Sequence, residues 1–219
     1  MDRIVIFGSG KHANVIAYNL NAQGLYHIAG YVTTDSFCSD IVPGRRIFSG
    51  YKNFDEEMTF QVAQMFKTNY FAIGFGSMEY RKKLYMFLVS QGWKAPQIIH
   101  PSAIVSPDAR IGDGVLIEAG CIVTPNPLIG DNVVVNTGSQ VNHDNIIEDH
   151  VYIASGVVTS GSIRIGNNSL IDDGVIVTLE RTIGSNCIIG AGSVVTRDIP
   201  DNVIAYGNPC KIIRDNRIT

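Results

Sequence analysis

The sequence predicts two fold classes in one chain of 219 residues: a small α/β domain with a parallel sheet, followed by a parallel β-solenoid. Two observations predict this. A buried strand, a glycine-rich turn and a helix follow one another at the start of the chain. From residue 99 to residue 200, a six-residue period opened each time by a β-branched residue runs without interruption. We therefore expect domains at 1–98 and 99–219.

The first domain opens with a β-turn-α pattern. Arg3-Ile-Val-Ile-Phe-Gly8 is typical of a buried strand, Gly8-Ser-Gly10 of a tight turn, and residues 11–20 of a helix. The remaining predicted elements are two strands, at 27–32 and 70–74, and a helix at 78–91. This order favours a small three-layer domain.

The second domain consists of seventeen six-residue words. Helices repeat at 3.6 residues and simple strands at 2, so a strict period of six indicates a short strand, a corner and another strand. Glycine recurs at the second position of words spaced by multiples of eighteen, at Gly112, Gly130, Gly166 and Gly184. Eighteen residues therefore form one coil of three sides, as in a hexapeptide solenoid. Corners rich in Gly and Asn fit a backbone with positive φ.

The openers are expected to stack inward, and the open ends of the solenoid to be covered. The openers are Ile99, Val105, Ile111, Ile117, Val123, Ile129, Val135, Val141, Ile147, Ile153, Thr159, Ile165, Ile171, Val177, Ile183, Ile189 and Val195. After Pro200, the segment 203–213 predicts a strand, a turn and a short terminal helix over the last coil.

Bulk properties exclude several function classes. The net charge of -3 lacks the positive sign that is typical of proteins that bind nucleic acid. No apolar run reaches eighteen residues and the start Met1-Asp-Arg is unlike a signal peptide, so we expect a soluble, cytoplasmic protein without membrane insertion. The four cysteines lack metal-like spacing, and no metal is expected.

The word Val141-Asn-His-Asp-Asn-Ile146 is polar at four of its six positions. His143 lies one coil from both Pro125 and Gly161, in a column without another ionisable group near it. A histidine followed by Asp144 suits a general base that a carboxylate orients, although a solvated polar turn is the plainer interpretation.

Small residues gather in two places on the solenoid. Thr159 interrupts the aliphatic openers and is followed by Ser160 and Gly161, and a similar patch lies at Gly190-Ala-Gly192. Small side chains let a ligand approach backbone amides. We expect a narrow groove along the prism that suits a long, thin ligand.

These features together resemble a known family. The chain resembles the left-handed β-helix acyltransferases in its prism and in three segments of sequence. These segments are Asn142-His-Asp-Asn, Ile189-Gly-Ala-Gly-Ser-Val-Val-Thr196 and the ending Gly207-Asn-Pro-Cys-Lys211. The resemblance narrows to the branch of sialic acid O-acetyltransferases and nucleotide-amino-sugar N-acetyltransferases. The segments that narrow it are Phe7-Gly-Ser-Gly-Lys-His12, Ala72-Ile-Gly74 with Arg81-Lys-Lys-Leu84, and Ile99-His-Pro-Ser-Ala103.

The resemblance implies a small Rossmann-like domain and a left-handed β-helix, assembled as a homotrimer with active sites between subunits. Acetyl-CoA would be the co-substrate and a nucleotide-sugar the acceptor, with His143 and Asp144 as catalytic residues. The positions implied for cofactor binding are Asn136, Tyr152, Gly161 and Ala191. Those implied for the nucleotide-sugar are Gly8, Ser9, Gly10, Lys11, His12, Asp35 and Gly74.

The chain also departs from the family pattern. Tyr152 stands where relatives often have a second histidine, and Thr33-Thr34 precede Asp35 where many carry paired acids. Ala13 replaces a frequent glycine, and Lys11 is unexpected in the glycine loop, where it would meet a phosphate or solvent.

The function implied is acetyl transfer from acetyl-CoA to a nucleotide-linked amino sugar, such as a 4-amino-4,6-dideoxy sugar, for surface polysaccharide or lipopolysaccharide biosynthesis. Alternatives are a sugar or sialic acid O-acetyltransferase and a non-catalytic nucleotide-sugar-binding protein.

A further alternative is a zinc carbonic anhydrase, which can also be built on a hexapeptide prism and needs three histidine ligands. The prism offers His100, His143 and His150, and His150 falls in a corner column of asparagines. The sequence does not choose among UDP, dTDP and GDP.

Overall fold

The computed structural model describes residues 1–33, 47–48 and 55–216. The chain divides into two compact units, Met1–Pro96 and Gln97–Thr219. Among the described residues, no helix combines the length and apolar character needed to cross a bilayer.

The first unit is built on a parallel sheet. Its strands are β1 (Asp2–Phe7), β2 (Tyr26–Val32), β3 (Ile47–Phe48) and β4 (Phe71–Ile73), and they lie in the order β3-β2-β1-β4. Its helices are α1 (Lys11–Gln23), α2 (Glu56–Phe66) and α3 (Met78–Ser90). The predicted β-turn-α opening is confirmed, as are the strands predicted at 27–32 (β2) and 70–74 (β4) and the helix predicted at 78–91 (α3), with boundaries shifted by a few residues. Strand β3 was not predicted.

Alternation along β1 places helices on both faces of this sheet. Val5 and Phe7 belong to a buried cluster with residues of α2 and α3, among them Met58 and Leu84. Ile6, which points the opposite way along the strand, lies beside α1 near Gly74. β1 is buried on both faces, which explains its run of apolar residues.

Helix α2 was absent from the sequence prediction, although its signal was present. Asp55 caps it by accepting a hydrogen bond from the backbone N–H of Met58 at 2.8 Å. Met58, Val62 and Phe66 recur at intervals of four and are fully buried. A capping residue followed by that spacing is typical of an amphipathic helix.

The second unit is a left-handed parallel β-helix of five to six coils. Each of the seventeen openers ends a two-residue strand, and the strands form three parallel sheets. We call these sheets side 1, side 2 and side 3. Side 1 contains β5 (Ile98–Ile99), β8 (Leu116–Ile117), β11 (Val134–Val135), β14 (Tyr152–Ile153), β17 (Leu170–Ile171) and β20 (Ile188–Ile189). Side 2 contains β6 (Ile104–Val105), β9 (Ile122–Val123), β12 (Gln140–Val141), β15 (Val158–Thr159), β18 (Ile176–Val177) and β21 (Val194–Val195). Side 3 contains β7 (Arg110–Ile111), β10 (Leu128–Ile129), β13 (Ile146–Ile147), β16 (Arg164–Ile165) and β19 (Thr182–Ile183).

The predicted inward stacking of the openers is confirmed. From Ile117 onward every opener is buried, and the registers pair each strand with the strand eighteen residues away. The fifth position of most words is buried too, as at Val133 and Val157. In most words, two residues therefore fill the interior.

The positive φ expected at the corner rich in Gly and Asn is confirmed, but it does not explain the second-position glycines. The positive φ occurs at the fourth position of the words, for example at Asn132 and Asn168. The second-position glycines are needed for space instead: a Cβ on Gly130 would lie 2.8 Å from the backbone nitrogen of Asp149 in the next coil. The Asp149 carboxylate accepts a hydrogen bond from the N–H of Asp131 at 2.8 Å, which closes the coils over that corner.

The predicted terminal helix is wrong. Residues 203–206 form β22 (Val203–Tyr206), which pairs in parallel with β20, and β23 (Lys211–Asp215) returns antiparallel to it. The open edge of side 1 provides hydrogen-bond partners, and the adjacent Ile212 and Ile213 favour an extended chain. A helix of five residues would lack the length to be stable alone. The hairpin covers the edge that the helix was expected to cover.

Candidate active site

His143 and Asp144 form a hydrogen-bonded pair where the chain turns from side 2 to side 3. The Nδ1 atom of His143 lies 2.9 Å from Oδ2 of Asp144. Because an ionised carboxylate only accepts hydrogen bonds, this contact places the imidazole proton on Nδ1 and leaves the lone pair on Nε2. About half of each side chain is exposed to solvent. The pair is therefore an imidazole that a carboxylate orients at a half-exposed corner.

Asn126, which was absent from the predicted site, supports the carboxylate from one coil below. Its Nδ2 donates to Oδ1 of Asp144 at 2.9 Å. The hydrogen bond from His143, followed by the one from Asn126, holds the pKa of Asp144 below its ordinary value. The interval of eighteen residues between Asn126 and Asp144 was the available sequence signal. Asp144 thus remains an anion to low pH.

The corner that carries this pair differs in residue type from the corner between side 1 and side 2. Between side 1 and side 2 the positive-φ position is glycine in coil after coil, as at Gly138 and Gly156. Between side 2 and side 3 it is Asn126, Asp144, Ser162 and Glu180, none of them glycine. Non-glycine residues in this region of φ cost conformational energy, least for Asn and Asp. This corner therefore keeps its side chains, although glycine would adopt the positive φ at a lower energetic cost.

Gly161 lies under the imidazole ring. A Cβ placed on Gly161 would overlap the Cε1 and Nε2 atoms of His143. The small residue noted in the sequence thus makes room for the ring one coil away. The structure brings His143, Asp144 and Gly161 together.

A second cluster lies between side 1 and side 2. Nδ2 of Asn136 is 3.3 Å from the hydroxyl of Tyr152, and its Oδ1 accepts from the N–H of Thr137 at 2.6 Å. The Thr137 hydroxyl donates to the carboxyl of Glu118 at 2.7 Å. Glu118 is 4% exposed, and this burial raises its pKa. Glu118 was not among the predicted residues, although it precedes Asn136 by one coil.

The expected groove along one prism is not present. Gly161 follows side 2, whereas the patch at Gly190-Ala-Gly192 follows side 1, together with Asn136. The thirty residues between Gly161 and Ala191 are not a multiple of eighteen, so the two patches face different corners. Gly190 is also covered, because a Cβ there would lie 2.9 Å from Cβ of Tyr206. Within one chain, Ala191 and Gly161 do not line a common channel.

The three prism histidines lie at three different corners. His100 follows side 1, His143 follows side 2, and His150 follows side 3. His150 has a φ of 61°, and its Nδ1 lies 3.1 Å from Nδ2 of Asn132 in the neighbouring coil. The prediction that it is a corner residue is confirmed. In the part of the chain that the structure describes, no three His, Cys, Asp or Glu residues group as metal ligands.

In the first unit, the predicted glycine loop and the second loop meet where β1 and β4 end. The N–H of Gly8 donates to the carbonyl of Val32 at 2.7 Å, and that of Gly74 to the carbonyl of Phe7 at 2.6 Å. A Cβ on Gly8, whose φ is +113°, would lie 2.8 Å from the Gly74 oxygen. A Cβ on Gly74 would lie 2.7 Å from that of Ala13. The strand order changes direction at β1, because the chain runs from β1 to β2 and β3 on one side of it and then crosses through α2 to β4 on the other. Such a switch point is where parallel sheets bind ligands.

Helix α1 presents its first turn at this point. Its N-cap is Gly10, without a side-chain cap, and Lys11 is exposed at its start. A helix N-terminus after a glycine-rich turn is suited to phosphate groups. Ser9 and His12 lie on the same loop and first turn. Asp35 lies outside the described residues.

His12 is a largely buried imidazole beside a buried cation. Desolvation, followed by the charge of Arg81, lowers the pKa of His12 to about 4. Arg81 is 5% exposed and donates from Nη1 to the carbonyl of Ile73 at 3.2 Å. His12 is therefore neutral at physiological pH and acts there as a polar, uncharged side chain.

Three family models match the chain. The PglD N-terminal domain matches residues 3–88, the bacterial transferase hexapeptide (six repeats) matches residues 162–197, and the hexapeptide repeat of succinyl-transferase matches residues 109–125. No curated protein sequence gives a significant match.

Solved structures are similar over nearly the whole chain. A histidine variant of perosamine N-acetyltransferase from Caulobacter crescentus, in complex with CoA and GDP-perosamine, is 31% identical, with 98% of each chain covered and a TM-score of 0.88. The acetyltransferase domain of PglB from Neisseria gonorrhoeae, in complex with acetyl coenzyme A, is 30% identical over 96% of this chain and 98% of that one, with a TM-score of 0.84. WeeI from Acinetobacter baumannii shares the fold at 23% identity, with 97% and 100% covered and a TM-score of 0.81.

The lowered pKa of His12 predicts a pH-dependent stability of the first unit. In the unfolded chain the pKa of His12 is 6.5, whereas in the native state it is about 4. The free energy of unfolding therefore falls as pH drops through this window, by at most on the order of 3 kcal/mol. We expect His12→Gln to flatten this dependence.

The measurement is urea unfolding followed by Trp93 fluorescence at pH 4.5–7.5. Trp93 is the only tryptophan of the chain and is buried in the first unit. The control is His27→Gln, which removes an exposed imidazole from the same unit. Equal slopes for the two variants would contradict the prediction.

Proposed function

The chain belongs to the left-handed β-helix (hexapeptide-repeat) acyltransferases, in the branch of sialic acid O-acetyltransferases and nucleotide-amino-sugar N-acetyltransferases, and we propose that it acetylates a nucleotide-linked amino sugar. It is an acetyltransferase, and acetyl-CoA is its co-substrate. The observation that carries the choice of acceptor is the likeness, over 98% of both chains, to an enzyme crystallised with CoA and GDP-perosamine. Both units, including the one with the glycine loop, are covered by that likeness.

His143 is the proposed general base. Its Nε2 would remove a proton from the sugar amine as the amine nitrogen attacks the thioester carbonyl of acetyl-CoA. The C–S bond then breaks, the sulfur leaves and is protonated, and the products are an acetamide and the free thiol of CoA. Asp144 keeps the Nδ1 proton in place through its 2.9 Å contact and stabilises the imidazolium while the proton is held. No covalent enzyme intermediate is required.

The remaining site residues are proposed as binding groups. Asn136, Tyr152, Gly161 and Ala191 would contact acetyl-CoA. Gly8, Ser9, Gly10, Lys11, His12 and Gly74 would contact the nucleotide-sugar, with its phosphates at the start of α1. Asp35 is proposed for the same substrate. A 4-amino-4,6-dideoxy sugar, used for surface polysaccharide or lipopolysaccharide, is the acceptor we favour.

A homotrimer would complete the site. The outward-facing residues of side 2 are apolar in five of six coils, and Ile104 and Ile176 are 67% and 43% exposed. The Asn136 corner precedes this face and the His143 corner follows it. Three copies in contact through side 2 would bring the first corner of one copy beside the second corner of the next. Such a contact would join the two small-residue patches that lie apart in one chain.

The oligomeric state tests this arrangement directly. Light scattering on the purified protein should give three times the chain mass of 23.8 kDa. A monomeric mass would contradict the proposed site between subunits.

The acceptor class is tested by a screen. UDP-, dTDP- and GDP-linked 4-amino sugars, their 4-hydroxy counterparts and free sialic acid are incubated with acetyl-CoA, and the released thiol is measured. We expect thiol release with one or more nucleotide-linked amines and an amide product by mass spectrometry. An ester product would favour the O-acetyltransferase alternative. Binding of a nucleotide-sugar without thiol release would favour a non-catalytic role.

The role of His143 is tested by His143→Ala. Because a positioned base contributes about 10²- to 10⁴-fold in rate, we expect kcat to fall by that order. Its side chain is half exposed, so the unfolding midpoint should be retained.

The matched control is His150→Asn. It removes a histidine of the same prism and introduces the residue type found at the same corner in Asn132, Asn168 and Asn186. We expect parental kcat and KM. Near-parental turnover in His143→Ala, or an equal loss in His150→Asn, would contradict the assignment.

A further inference from the structure

A buried polar pair lies inside the prism behind the His143 corner. Thr159 and Asn145 have no exposed surface, and Asn145 Nδ2 donates to Oγ1 of Thr159 at 2.6 Å. The other sixteen openers are Ile or Val, so a hydroxyl at this position is an exception. An amide and a hydroxyl in an apolar interior are costly unless their hydrogen bonds are made.

The Thr159 hydroxyl makes three hydrogen bonds. Besides accepting from Asn145, it accepts from the backbone N–H of Asn142 at 3.3 Å and donates to the carbonyl of Gln140 at 3.0 Å. One donor and two acceptor sites are all that a hydroxyl offers. The Oδ1 atom of Asn145 in turn accepts from the N–H of Ile163 at 2.8 Å. The pair is therefore satisfied within the prism.

The two residues held by this hydroxyl bracket the proposed base. Asn142 immediately precedes His143, and Asn145 immediately follows Asp144. Both ends of the four-residue corner are thus tied to one atom of the next strand on side 2, β15. The corner itself contains a non-glycine residue at positive φ, Asp144 at 59°, and has half-exposed side chains. Its backbone bonds to the coils on either side, from the N–H of Asp144 to the carbonyl of Pro125 at 3.2 Å and from the N–H of Ser162 to the carbonyl of His143 at 2.9 Å. The Thr159 hydroxyl adds an anchor from inside the prism at each end of the corner.

Other buried hydroxyls of the prism are used differently. Ser169 Oγ donates to the carbonyl of Gly184 at 2.7 Å and accepts from the N–H of Cys187 at 3.0 Å. Ser139 likewise bonds to the carbonyl of Ala154 and the N–H of Val157. These hydroxyls bond backbone groups of neighbouring coils, whereas Thr159 and Asn145 join two side chains under the catalytic corner.

We propose that Thr159 and Asn145 are positioning residues that hold His143 and Asp144 in their reactive geometry. The inference rests on the proposed role of His143 as the base. Neither residue touches the substrates, and both act through the backbone of residues 142–145. Small displacements of a reacting group lower rates steeply, so loss of the anchor should reduce kcat rather than substrate binding.

The test separates the hydroxyl from the shape of the side chain. Thr159→Val keeps the shape and matches the other openers but removes the hydroxyl. Thr159→Ser keeps the hydroxyl and removes a methyl group. We expect Thr159→Val to lower kcat by about tenfold or more, with the KM for acetyl-CoA within about twofold of the parent. Thr159→Ser should retain kcat within about twofold even where its unfolding midpoint falls.

Ser169→Ala is the control for loss of a buried hydroxyl elsewhere in the prism, and it should leave kcat unchanged. A crystal structure of Thr159→Val provides a readout that does not depend on the acceptor, and should show the His143–Asp144 contact lengthened beyond 2.9 Å. An unchanged corner, or a parental kcat, in Thr159→Val overturns the inference. So does an equal loss of kcat in Thr159→Ser or Ser169→Ala.

His143→Ala in the same assay separates the two proposals. If His143→Ala is inactive while Thr159→Val keeps parental turnover, the positioning role alone is wrong. If His143→Ala keeps turnover, the base assignment fails and the positioning role fails with it.

Discussion

The backbone hydrogen bonds between successive coils are the constraint on which the prism depends. From β5 to β18, an N–H on each strand donates to a carbonyl seventeen residues later, as from Gln140 to Val157 at 2.8 Å and from Val158 to Val175 at 2.9 Å. This ladder fixes every residue above the residue eighteen positions before it. An insertion of one residue within a coil would rotate all later side chains to other positions of the prism. The columns that hold the functional side chains exist because the ladder has a constant length.

The polar contacts of the candidate site follow those columns. His143 packs on Gly161, Asp144 is supported by Asn126, and Glu118 accepts a hydrogen bond from Thr137. Each contact joins residues about eighteen positions apart. The solenoid therefore builds a site from neighbours in a column, where other folds join distant loops. The backbone at each corner is already paired with the coils on either side, so the side chains are held by a rigid frame.

The two units offset the energetic cost of buried polar groups in different ways. In the first unit, the ends of β1 and β4 come close because Gly8 and Gly74 have no side chains, and the buried His12 remains neutral. In the prism, the interior accepts a hydroxyl and an amide at Thr159 and Asn145 because each of their polar side-chain atoms has a hydrogen-bond partner. In both units the cost of burial is offset locally, by neutralisation or by pairing.

The sequence by itself determined the two fold classes, the seventeen strands, the side of each opener and the pair His143 and Asp144. It could do so because a period of six leaves one register for the chain, and because the openers must be buried. The same rule placed His150 at a corner. Short segments without a period do not specify their own pairing partners. Helix α2 was missed, and 211–215 became a strand because the edge of side 1 offered it a partner.

Only the tertiary structure decided which groups bond to which. The sequence marked Thr159 as an exception but did not show that its hydroxyl holds Asn142 and Asn145, because that bond depends on side-chain direction inside the coil. The different corners of Gly161 and Ala191, by contrast, follow from the period itself, because their separation of thirty residues is not a multiple of eighteen. Spacing along a chain specifies columns, whereas contacts between columns depend on three-dimensional packing.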